Sequence, residues 1–169
     1  MDISFLTKEE QENLFIFAKN LKLLGFDDTC DIRLVKYNND FVYDEDPCHP
    51  ESHKAGDIRC RKGYSTNSIL EKQKLSDDFE TYTFPNMEDV ERWLRDMYDI
   101  CLVITPEYIT DGEYYNTTIY HAKIYSPYSI SNEIDKYEDH DECYGVLEFR
   151  ALNKVVNELV KDENNYKRF

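Results

Sequence analysis

Thiolate and imidazole, the ligands zinc prefers, lie close together at Cys48, His53 and Cys60, with the spacing C-x4-H-x6-C. Three ligands from one segment leave a fourth to come from elsewhere, from Cys30 or from His140 and Cys143. A bound metal would order a stretch that has little else to hold it. The spacing lacks a C-x2-C knuckle, so the competing reading is a bare surface loop. The same groups allow a thiol nucleophile with a histidine base at Cys48, Cys60 or Cys143. Any chain with five Cys and four His allows such pairs on paper, so covalent catalysis by them is not expected. His121, set among tyrosines in a strand pattern, reads as a packing residue.

A second stretch is dense in carboxylates: Glu133, Asp135, Glu138, Asp139, Asp141 and Glu142, against the single lysine Lys136. In a helical conformation Asp135, Glu138 or Asp139, and Glu142 would share one face at spacings of about 5–6 Å. That is the scale on which a nucleic-acid strand spaces its phosphates. Tyr128 and Tyr137, with Tyr144, add flat, rigid groups of the kind enriched in interfaces. Together these residues form the candidate partner-binding surface. A solvated acidic loop is the competing reading.

Other chemistries find no support. The chain has no Gly-rich phosphate loop, no H-E-x-x-H and no G-x-S-x-G. Asp44-Glu45-Asp46 lacks the loop glycine and terminal glutamate of a calcium-binding EF-hand. Lys54, Arg59, Arg61 and Lys62, near Tyr64, have the charge to touch a phosphate, but a salt-bridged face accounts for them equally well.

Charge bears on all of these readings. Thirty-five acidic residues against twenty basic ones give a formal net charge of -15 over 169 residues. Such a field repels polyphosphates and anionic lipid and favours basic partners; it also keeps a protein soluble. Direct binding to nucleic acid or to a membrane surface is therefore not expected. Aromatic residues make up 14%, which speaks for a folded chain. The opening residues Met1-Asp2-Ile3-Ser4-Phe5-Leu6-Thr7 lack the basic and apolar regions of a signal peptide. No apolar run approaches the roughly 18 residues of a membrane span. Reduced cysteines and a cytoplasmic location are the expectation.

The elements that must position these groups are legible to different degrees. Thr7 and Glu10 form a capping box ahead of Leu14, Phe17, Leu21 and Leu24, with Gly25 as the stop. Residues 31–37 and 41–43 read as two strands around the turn Asn38-Asn39-Asp40. Residues 44–63 read as irregular, 65–75 as holding a short helix, and 77–80 as a solvated acidic break. Asn86 caps a helix whose apolar set is Met87, Val90, Trp93, Leu94 and Met97. Residues 100–105 read as a central strand and 114–125 as its returning partner, around Asp111-Gly112. Residues 126–142 form an acidic connection, and a last helix covers 142–161, with Leu152, Val155, Val156 and Leu159 on its buried stripe. The expected fold is α+β: an antiparallel sheet of two hairpins with about three helices packed on it. It reads as one acidic domain over 1–163 with a polar tail over 164–169.

The run Val90-Glu91-Arg92-Trp93-Leu94-Arg95, followed by the hairpin and by Tyr144-Gly145-Val146-Leu147-Glu148-Phe149-Arg150-Ala151-Leu152, resembles a module in short bacteriophage and prophage proteins. The likeness covers about the second half of the chain. It implies a mobile-element origin, and no activity.

These readings converge on a non-enzymatic acidic binding protein that inhibits a host defence nuclease, as anti-CRISPR or anti-restriction proteins do. Its partner would be the basic surface of a nucleic-acid-binding protein, and no cofactor is required. The alternatives are a zinc-stapled regulatory or small enzymatic domain around Cys48, His53 and Cys60, or a housekeeping domain whose acidity serves solubility alone.

Overall fold

The computed structural model describes residues 6–43, 51–73, 77–111, 115–126, 137–141 and 143–166. The chain falls into two compact units, Met1–Pro85 and Asn86–Phe169. Among the described residues it is α+β, with four helices and two three-stranded antiparallel sheets.

The first unit opens with helix α1 (Lys8–Leu23), whose capping box is formed as the sequence predicts. Thr7 Oγ1 accepts from the Glu10 N–H at 3.2 Å, and Glu10 Oε2 accepts from the Thr7 N–H at 2.8 Å. The Thr7 hydroxyl, which also donates to Glu10 Oε2 at 2.8 Å, and then the Thr7 N–H hold the Glu10 carboxyl below its ordinary range. At the far end Gly25 takes φ +93°. The Phe26 N–H then reaches Leu21 O and the Gly25 N–H reaches Lys22 O, the two bonds of a Schellman stop. Strand β1 (Cys30–Tyr37) is central in its sheet, between β4 (Ile58–Ser65) and β5 (Phe79–Thr83); β2 (Phe41–Tyr43) and β3 (Glu51–His53) make a separate pair.

Successive residues of β1 face opposite ways. Leu34 and Lys36 lie on the α1 side, where Lys36 Nζ meets Glu12 at 2.6 Å and sits over the Phe15 ring. Arg33, Val35 and Tyr37 lie on the other. Helix α2 (Asn67–Lys72) is capped by Thr66. Buried Asn67 ties three segments together: its amide donates to Phe26 O at 3.0 Å and accepts from the Thr83 N–H at 3.1 Å.

Several expectations for this unit are corrected. β1 and β2 do not pair with each other. Asn38, Asn39 and Asp40 bond instead to neighbouring loops, at Asp77 O, Asp78 Oδ1 and the Ala55 N–H. Their polar side chains signal a turn but do not say which strands it joins. Part of the stretch read as irregular is strand, β3 and most of β4, and the acidic break at 77–80 runs into β5. Both β4 and β5 are sheet edges, where polar residues dilute the alternation that marks a strand.

The second unit holds α3 (Met87–Tyr98), β6 (Cys101–Asp111), β7 (Tyr115–Tyr125), β8 (Glu138–Asp141) and α4 (Tyr144–Tyr166). Asn86 caps α3 by accepting from the Asp89 N–H at 2.8 Å, and Asp99 ends it in the left-handed region at φ 54°. Val90 and Leu94 are buried, whereas Met97 is exposed. The β6–β7 hairpin forms as expected, but β7 is the central strand and β6 an edge. Pro106 fits the edge, since an outward-facing nitrogen owes no ladder bond. Ala122 on β7 meets Leu147 and Ala151 on α4, with Leu102, Ile104, Tyr120 and Tyr137 packed around them. Leu152, Val155, Val156 and Leu159 are all buried, and the helix continues beyond Lys161 to Tyr166. Among the described residues no helix is long and apolar enough to cross a membrane.

Candidate functional site: the charged strand β8

Glu138, Asp139 and Asp141 lie on β8, a strand where a helical spacing was one expectation. Its alternation divides the carboxylates between two faces. Register pairs Ala122 with Asp139 and Tyr120 with Asp141, so both aspartates share the α4 side of the sheet; Glu138 pairs with Lys123 and His140 with His121 on the opposite side.

On the α4 side one guanidinium organises the group. Arg150 Nη2 lies 3.0 Å from Asp139 and Nη1 lies 3.1 Å from Asp141, while Nη2 also donates to His140 O at 3.0 Å. Asp141 accepts from the Cys143 N–H at 2.8 Å, just before α4 begins. Tyr137 is half-buried and donates its hydroxyl to Asp139 at 3.0 Å. Burial, then the bond to Asp139 and its charge, push the Tyr137 phenol above its ordinary value.

On the outer side the charges alternate. Glu138 meets Lys123 at 2.7 Å, and that hydrogen bond and charge hold its carboxyl low. Its side chain remains 71% exposed. His121 is not a packing residue. It is half-exposed on this face, with Nε2 2.7 Å from Glu107 and its ring centroid 6.1 Å from that of His140.

A further acidic group went unremarked in the sequence. Glu91 on α3 and Glu148 on α4 interact directly, with Tyr144 alongside. Burial raises both carboxyls above the ordinary 4.5, and for Glu91 the Glu148 charge adds to it. Positions 91 and 148 lie too far apart in sequence for any local pattern to pair them. Arg150 was equally silent as a counter-ion, its partners being set by sheet register.

Of the other predicted binding residues, Tyr128, Glu133, Asp135 and Glu142 lie outside the described residues, as does Cys48 of the zinc set. His53 and Cys60 are not brought together on one face. Cys60 pairs with Leu34, whose side faces α1, while His53 stacks on Tyr37 at 4.1 Å on the other side and is 4% exposed. Among the described residues no group of three His, Cys, Asp or Glu side chains is placed to hold a metal ion. Cys30, Cys60, Cys101 and Cys143 are thiols. Set against known protein families, curated proteins and solved structures, the chain matches none of them.

Proposed function

We propose that the protein is a non-enzymatic, acidic binding protein of mobile-element type, which inhibits a host defence nuclease by occupying its nucleic-acid-binding surface. The observation that carries this reading is the net charge of -15, with six carboxylates concentrated between Glu133 and Glu142. Exposed Glu138 is the described member most open to a partner. Carboxylates would stand in for phosphates, charge would speed the encounter, and salt would weaken the complex. The resemblance of the second half to phage and prophage proteins would fit a mobile-element origin.

The test is affinity capture from a bacterial lysate with the full chain, washed at low and at high salt. The expected capture is a basic nucleic-acid-binding protein that high salt releases and that E138K fails to retain. Capture that ignores both salt and the E138K substitution would refute the mimicry.

A further inference from the structure

Strands β1 and β4 lose their even register near one end. Cys30 pairs with Ser65 and Ile32 with Lys62, so Asp31 stands against two residues, Gly63 and Tyr64. The extra residue makes a β-bulge, which bends its strand and re-aims the side chains beside it. Gly63 takes φ +153°, a conformation that residues with a side chain rarely adopt. A Cβ at that position would meet nothing within 4 Å, so the space beside it is open.

That space is a cavity of about 530 Å³, open to solvent and lined by Asp31, Ile32, Lys62, Gly63 and Tyr64. Its size is that of a small-molecule pocket. Its walls differ in kind. Tyr64 is 86% exposed and presents a bare aromatic ring, while half-buried Ile32 adds an apolar wall. Asp31 and Lys62 are exposed and bring one charge of each sign. Their strand positions are neighbours, yet neither side chain makes an ion pair or hydrogen bond among the described residues. By contrast, Lys19, Lys22 and Lys36 of the same unit each meet a carboxylate.

We propose that this cavity binds a free α-amino acid with an aromatic side chain. The Asp31 carboxylate takes the ammonium group, Lys62 takes the carboxylate, and the ring lies on Tyr64 against Ile32. Charge-assisted bonds at both ends fix the orientation of the molecule. Contact between aromatic rings adds to what the covered area alone supplies. Neighbouring strands run about 4.8 Å apart, so side chains on adjoining strands can hold the two ends of so small a ligand. The net charge of -15 bears little on it, because a zwitterion carries no net charge into that field. The site belongs to the first unit and does not depend on the nuclease-binding reading.

The full chain is titrated with phenylalanine by isothermal calorimetry at constant ionic strength, while saturation-transfer NMR reports on the ligand's ring protons. Phenylalaninamide lacks the carboxylate and N-acetylphenylalanine lacks the ammonium, so each is a matched probe of one end. Phenylalanine should bind saturably with a dissociation constant of about 1 mM, since ion pairs open to solvent each contribute little. Both blocked forms should bind about threefold to fivefold more weakly. D31N should remove the advantage of phenylalanine over its N-acetyl form, and K62Q its advantage over the amide. Y64A should weaken all three ligands about fivefold. R59Q, which lies outside the cavity, should change nothing. All four side chains are exposed, so each variant should keep the unfolding temperature of the natural chain. No saturable binding of phenylalanine overturns the proposal. So does equal binding of the free and blocked forms, or D31N and K62Q variants that bind phenylalanine as the natural chain does.

Discussion

Strands β4 and β8 are both sheet edges thick with charge, and they handle it differently. On β8 each described carboxylate has a cation within the same unit: Lys123 for Glu138, and Arg150 for Asp139 and Asp141. On β4, Arg61 lies opposite Arg33 of β1 with its tip 3.4 Å from His53, and Arg59 lies opposite Val35. Overall composition points the other way, since the chain is short of positive charge. Net charge therefore sets the long-range field, while strand register decides which charges are left to do something. The second unit is tied by ions at β8, and the first is tied by the neutral amide of Asn67.

That contrast can be strained from both sides. The largest effect is expected from N67A, which leaves the Phe26 carbonyl and the Thr83 N–H buried and unbonded; urea unfolding should show a loss of about 2–3 kcal/mol. A loss below half of the lower figure would mean that the first unit does not depend on this amide. R150M should cost less, about 1–2 kcal/mol, because the guanidinium is partly exposed and solvent screens it. The triple variant R150M/D139N/D141N should recover much of that loss, since the orphaned carboxylates go with the cation. If the triple variant is no better than R150M, packing and not charge is what Arg150 supplies.

Acid should act oppositely on two carboxyl groups. Burial tends to raise the Glu80 carboxyl, but the Tyr82 hydroxyl and Lys19 outweigh it, so its folded value is depressed. Its contribution is present above the unfolded value of 4.5 and is lost as pH falls through the folded value. Glu91 and Glu148 have raised folded values, so their contribution is present below 4.5 and fades as pH rises through the folded values. Hydrogen exchange measured from neutral pH down toward 4.5 should show the α3 and α4 amides gaining protection; below it, those of β5 should lose protection. Parallel changes in both sets would erase the distinction. The smallest effect is expected from E148Q at neutral pH, a gain of about 0.5 kcal/mol from relief of like-charge repulsion. E148Q should also flatten the α3 response to acid.

The sequence was most legible where structure is local. The Thr7–Glu10 box, the Asn86 cap and the stripe Leu152, Val155, Val156 and Leu159 depend on residues three or four apart, and each is present. The β6–β7 hairpin was legible for the same reason. Strand partnership was not. β1 finds β4 and β5 across long insertions, and nothing near Arg33 announces that Arg61 and Thr83 will stand on either side of it. The acidic run was visible as composition, but a strand shows its two faces alternately. Asp139 and Asp141 thus became internal supports, and Glu138 remained outward.

Pro106 has an effect at a larger scale. Among the described strands β6 pairs with β7 alone, which leaves one long side of eleven residues open. An open side of that length is a template on which a second copy can lay down a matching strand, and repetition of that step grows fibres. Midway along, Pro106 has no hydrogen to give, and exposed Glu107 follows it with a charge. A newcomer can register against either half of the strand but not the whole. The interruption works against edge-to-edge growth of that kind.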